Sequence, residues 1–383
     1  MRGTWLSILP ATLLLAARAL AATPAGPAQE VEALLKDGKV DDAVAKGRAA
    51  VTQHPDDVDL RLATARALGG KARKLTHLVN VSVSQADIDK GQIALPAGKL
   101  DETPVQVTYD SALLEEAIVD LDEGIKRAPK REDIRFFKCF LLTDASRLDR
   151  AKTAIEDTLA ALPHTPELAK TLTTFAAERT KRKDPEGGVT LLNPVIKAYP
   201  NAAAVLLDYG NMLTRIGRKK EADSAFDRAA ALNPQDVRFQ RTRATAAMLF
   251  RDYKRAQTAF DAVFRVSKDT QDQFASSVAA YGIDPKASAS LMRDLALPSA
   301  SGDSAVEDLA HSFDVVSTAG PASPAAMSLA HRLVDQKQLV LVIPVLDRAI
   351  KANPKLTEAQ TMLAKVFSDL GCPKLAPGAA AAH

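Results

Sequence analysis

LLDYGNMLTRIGRKKEADSAFDRAAALNPQDV, residues 206–237, is the stretch that decides the fold. Ala222, Phe226 and Ala229 recur at i, i+4 and i+7, which is one face of a helix. Gly210 marks a place where two helices approach closely, and Gly217 closes the first of them. Pro234 stops the second, because it has no backbone N–H and cannot continue a helix. The stretch therefore encodes two helices joined by a tight turn, with an apolar face and no obvious catalytic group.

The pattern repeats outward. A step of about 34 residues back from Pro234 reaches Pro200, and another reaches Pro166; a step forward reaches Lys268, where the proline is lost but its neighbours persist. Ala244, Ala256, Phe260 and Val263 repeat the hairpin downstream. Upstream it recurs as Ala176, Gly188, Leu192 and Val195, and before that as Leu142, Ala154 and Ala161. Gly38, Ala43, Ala50 and Pro55 carry it near the start, and Ala330, Leu346, Ala349 and Pro354 near the end. Ala364, Phe367 and Gly371 read as a first helix without its partner, which suits a terminal cap.

Small residues at the eighth, twentieth and twenty-seventh places and proline at the thirty-second resemble the tetratricopeptide repeat, over about residues 27 to 371. The resemblance implies an all-α fold, an α-solenoid of stacked helical hairpins wound as a right-handed superhelix. The sequence departs from the family at the fourth place, where Leu206, Gln240 and Lys138 stand instead of tryptophan. Two regions break the period. Residues 76–110 contain Val79, Val81 and Val83 alternating with polar residues, then QIAL and VQVTY, and read as a small β-rich insertion after a helix that runs to about Leu75. Residues 271–322 contain SASGDS and STAGPASP and read as a degenerate repeat or a hinge.

The expected organisation follows. Residues 1–21 are a secretory signal: Arg2 precedes an apolar run from Leu6 to Ala17, and Ala19-Leu20-Ala21 supplies a cleavage site. Residues 22–75 hold the first repeat and the first helix of the second, 76–110 the insertion and 111–270 further repeats. Residues 271–322 are the irregular region, 323–371 a last repeat with its capping helix, and 372–383 a disordered tail. The signal places the protein in the periplasm or outside the cell, with no membrane span after cleavage. Its apolar run is shorter than the ~20 residues a spanning helix needs.

Composition narrows the function. A net charge of +3 over 383 residues argues against a dedicated nucleic-acid binder. Cys139 and Cys372, the only cysteines, are too few for a disulfide framework; Cys139 reads as a small buried hydrophobe and Cys372 as a stray thiol that could pair between chains. The six histidines fall in no metal-ligand spacing, and LGGKARK at residues 68–74 lacks both the first glycine and the Ser/Thr of a phosphate loop. Neither an enzyme nor a cofactor is expected.

Binding is what the resemblance implies. In the family, first helices line a concave wall whose second, fifth, ninth, twelfth and thirteenth places touch ligands. At matching positions here stand Lys170, Lys181, Leu207, Asn211, Arg215, Arg238, Arg241 and Met248. This basic strip is either an ordinary solvated helix face or a groove for another protein or peptide of acidic character. The reading is of an exported non-enzymatic scaffold, in envelope assembly or secretion; the alternative is a non-catalytic subunit that binds an anionic polysaccharide or a membrane surface.

Overall fold

Among the described residues, most helices are followed by another across a short turn. The computed structural model describes residues 26–77, 105–296 and 304–377. The chain divides into two units between Pro163 and His164. The expected signal at residues 1–21, most of the expected insertion and the last six residues of the expected tail lie outside the described residues.

In the first unit, α1 (Pro27–Lys36) and α2 (Val40–Gln53) form a hairpin, and α3 (Val58–Ala72) packs against both. Asp57 starts α3, its carboxylate accepting from the Leu60 backbone N–H. The helix ends at Ala72 rather than Leu75. Strand β1 (Arg73–His77) follows and pairs antiparallel with β2 (Val105–Tyr109), Arg73 opposite Tyr109 and His77 opposite Val105. VQVTY is thus a strand as expected, whereas the β-structure begins earlier than residue 76. The cause is Asp144, a buried carboxylate that accepts from Arg73 Nε at 2.9 Å and Tyr109 Oη at 2.6 Å, tying both strand ends to the helix that carries it. Helices α4 (Ser111–Arg127), α5 (Glu132–Asp144) and α6 (Leu148–Ala161) complete the unit, α4 packing on α3 and each later helix on the one before.

The second unit begins with three hairpins: α7 (Pro166–Lys181) with α8 (Pro185–Ala198), α9 (Ala203–Arg215) with α10 (Lys219–Leu232), and α11 (Val237–Leu249) with α12 (Tyr253–Ser267). The first helices α7, α9 and α11 also touch one another in series, as a hairpin stack requires. Gly210 lies against the ring of Phe226, which is 1% exposed, so a side chain at that position would displace the neighbouring helix. Pro200 and Pro234 stand in the turns after α8 and α10, but Pro166 is the first residue of α7, where its missing N–H costs nothing.

The repeat is clearest in the backbone. Ser146, Lys183, Gly217, Arg251 and Lys337 each sit in the turn inside a hairpin with φ between 58° and 80°. The same left-handed turn is thus made mostly by residues other than glycine. Glycine would relieve their strain, and its absence is why these copies are faint in the sequence.

Residues 271–322, expected as a degenerate repeat or a hinge, begin with a helical pair. Helices α13 (Thr270–Ile283) and α14 (Pro285–Leu295) form a further hairpin, and α13 buries Phe274, Val278 and Tyr281 completely. Helices α15 (Ser304–Ala319), α16 (Pro324–Asp335), α17 (Leu339–Ala352) and α18 (Thr357–Asp369) follow, then a 3₁₀ turn at Pro373–Leu375. Here the nearest-neighbour rule of a simple solenoid fails: α17 returns to pack on α11 and α13. Helix α17 is apolar nearly all round, burying every residue from Leu341 to Asp347, and a single neighbour covers only one side of a helix. Tyr253 Oη donates to the buried Asp347 at 3.0 Å and Arg348 Nε to the Gly282 carbonyl at 2.8 Å, fixing the return. One core runs from Ala244 to Cys372. The expected tail is therefore ordered at 372–377: Cys372 is buried and Leu375 packs on the core.

Candidate functional site

The first helices α9 and α11 project side chains one turn apart into the same space. Asn211 and Arg215 stand at i and i+4 on α9; Arg241 and Thr245 stand at i and i+4 on α11, with Thr242 beside them. Together they line a cavity of about 350 Å³. Leu370 and Cys372, from the end of the chain, close one part of its rim. Three of the eight candidate residues, Asn211, Arg215 and Arg241, are thus brought together.

The other five are not. Met248, expected in the groove, is fully buried in the core of the second unit, because the helix face that carries it turns toward the returning α17 and its neighbours. Leu207 is half-buried against Leu206, Ala229 and Phe239 and serves packing. Lys170 is exposed on α7. Lys181 is exposed at the end of α7 and pairs with Glu178 at 2.6 Å. Arg238 is 79% exposed and folds back onto Asp236, the residue that caps its own helix.

Electrostatics separates the two arginines of the cavity. Arg241 Nε donates to Asp272 at 2.7 Å and its Nη2 to Asp272 and Asp269 at 2.6 and 2.9 Å. These hydrogen bonds, the Asp272 one foremost, hold its guanidinium above the usual arginine range. Asp272 is 4% exposed and also accepts from Ser267 Oγ, so this arginine neutralises a buried acid and anchors α13. Arg215 makes no hydrogen bond or ion pair among the described residues. It is the cavity's uncommitted cation, with Asn211 a turn away and two threonine hydroxyls opposite. Such a set matches a carboxylate that brings its own negative charge.

A smaller cavity of about 220 Å³ in the first unit lies beside Arg48 and Glu116, whose charges satisfy each other through two hydrogen bonds of 2.6 Å. Among the described residues no group of three or more His, Cys, Asp or Glu is arranged to hold a metal ion. No helix among them is long and apolar enough to cross a membrane. Cys139 and Cys372 are both free and buried, so Cys372 is not the exposed thiol that pairing between chains requires. The i, i+4 spacing on α9 and α11 was available to sequence reasoning for Thr245; nothing in the sequence announced Leu370 and Cys372, which arrive by the return of α17.

No protein-family model matches the sequence, and no curated protein matches it. Solved structures similar to the chain include YrrB, described as a TPR protein with an unusual peptide-binding site, at 14% identity and TM-score 0.31, covering 59% of this chain and 94% of that one. PilF of Pseudomonas aeruginosa is similar at 13% identity and TM-score 0.30, over 64% of this chain and 92% of that one. The TPR domain of P58(IPK) is similar at 14% identity and TM-score 0.27, over 90% of this chain and 89% of that one. The tetratricopeptide-type fold rests on the hairpins themselves: paired helices, first helices in series, and a left-handed residue in the turn inside most of the hairpins.

Proposed function

We propose that this chain is a non-enzymatic scaffold that holds another protein, through an acidic segment, on the first-helix face of the second unit. The observation that carries the reading is the meeting of Asn211, Arg215 and Thr242 around one cavity, with Arg215 left unneutralised beside an arginine that is already paired. The amino-terminal segment supports work after export, in the periplasm or outside the cell, and envelope assembly or secretion is the setting we favour.

The test is capture in the native cells. A photo-crosslinking residue at Thr242, at the cavity, is expected to trap one discrete protein, and Arg215→Glu is expected to abolish that product while far-UV circular dichroism stays helical. An Arg215→Glu chain that traps the same protein with the same yield removes the cavity from consideration. Binding of an anionic polysaccharide or a membrane surface, the second reading, predicts no discrete product and a steep loss of binding with added salt.

A further inference from the structure

The segment that rims the cavity buries fewer side chains than helix α17, which precedes it in the carboxy-terminal region. Gly371 takes φ 71°, turning the chain out of α18. The turn brings the Gly371 backbone so close to Arg215 Nη1 that a Cβ there would clash with it. Beyond it, Lys374 pairs with Glu186 at the start of α8, and Leu375 lies beside Gly217 in the α9–α10 turn. The Leu375 carbonyl accepts from Arg251 Nη2 at 2.8 Å in the α11–α12 turn. One short segment thus crosses the turns of three successive hairpins.

The two parts of the carboxy-terminal region differ in what holds them. Helix α17 has Val342, Ile343, Val345 and Leu346 wholly buried, so its return is held by the core. The crossing segment has one buried side chain, Cys372, at the edge of the core, with Leu370, Leu375 and Ala376 half-buried beside it, one hydrogen bond to its backbone from Arg251, and an ion pair whose side chains are 47% and 62% exposed, a kind of pair that stabilises little. A segment that buries less than the core behind it opens at a lower free-energy cost than global unfolding.

We propose that residues 370–377 are an intramolecular cover: docked across the turns they close one end of the Asn211–Arg215 cavity, and an acidic partner segment enters by displacing them. The inference rests on the reading of that cavity as the partner site. Release leaves α17 in place, frees the face of Arg215 that lies against Gly371, and exposes Cys372. The cover therefore carries its own reporter, since the Cys372 thiol is 2% exposed and burial pushes its pKa up, both of which slow alkylation while it is docked.

The experiment uses the full chain and two readouts. Lys374→Glu with Leu375→Asp sets like charge against Glu186 and a carboxylate in the apolar contact. Iodoacetamide is expected to alkylate Cys372 about ten-fold faster in this variant, with Cys139 in the first unit unchanged as the internal control. Binding of poly-L-glutamate at low salt is expected to tighten about three-fold or more, and Arg215→Glu in the same background to remove the gain. Unchanged alkylation overturns the cover by itself, whatever Arg215→Glu does to the crosslinked product. Faster alkylation with unchanged poly-L-glutamate affinity also overturns it, since the segment then moves without guarding anything. Faster alkylation with no poly-L-glutamate binding by either chain sinks the cavity reading and the cover together.

Discussion

Gly210→Ala adds one methyl group at the closest approach of α9 and α10. The new Cβ would lie 2.6, 2.8 and 2.9 Å from Cε1, Cζ and Cδ1 of Phe226. Carbon atoms in contact prefer about 3.5–4.0 Å, so the ring must move by about 1 Å, and at 1% exposure it has no free space to move into. Overpacking of this kind costs about 1–3 kcal/mol. Alanine is the better helix former and returns about 0.8–1 kcal/mol. With three ring atoms in collision the cost lies toward its upper limit, and the net loss is about 2 kcal/mol. The matched control is Gly70→Ala near the end of α3, where a Cβ would meet nothing within 4 Å. There only the propensity gain remains, about 0.5–1 kcal/mol. Urea denaturation followed by far-UV circular dichroism checks both signs: Gly210→Ala should lower the midpoint of the second unit's transition, and Gly70→Ala should raise that of the first. A Gly210→Ala chain as stable as its parent would refute the idea that this glycine is there for packing.

Two further outcomes follow from the core. Met248→Ala should destabilise the second unit by about 2–5 kcal/mol, read as a lower thermal midpoint, and leave capture at the Arg215 cavity intact, because Met248 packs in the interior. Tyr281 is wholly buried, its hydroxyl has no hydrogen-bond partner among the described residues, and burial pushes its pKa up to about 12. A raised folded pKa means the stabilisation is complete below the unfolded value of 10 and is lost as pH rises from there toward 12. Over that window the parent should lose about 2–3 kcal/mol more than Tyr281→Phe, which has nothing to ionise. Denaturant midpoints measured across the same pH range decide it, and identical curves for the two chains would show that Tyr281 is not buried as described.

Local signals announced what local forces make. The i, i+4, i+7 pattern of Ala222, Phe226 and Ala229, the small residue at Gly210 and the left-handed Gly217 each act within one hairpin, so the hairpin was legible from residues 206–237. The copies built on Lys183, Arg251 and Lys337 were faint because the fold demands a backbone conformation there, and a side chain at modest strain can adopt it. Strand β1 was missed because RKLTH has no alternating pattern of its own; it is a strand because Asp144, far along the chain, binds Arg73.

The site divides the same way. Asn211 and Arg215 were placed by sequence, since one helix face follows from its period. That Arg241 is committed to Asp272, that Met248 points inward, and that Leu370 and Cys372 rim the cavity depend on contacts between residues distant in sequence. LVLVIPVL in α17 was plainly apolar, but a helix that is apolar on all sides says only that it must be surrounded, not by what. The sequence by itself determined the repeated hairpin, because helix period, turn and close packing all act over a few residues. The tertiary structure alone decided which of the two arginines is paired and which residues rim the cavity, because charge pairing and burial depend on which distant helix comes to lie alongside.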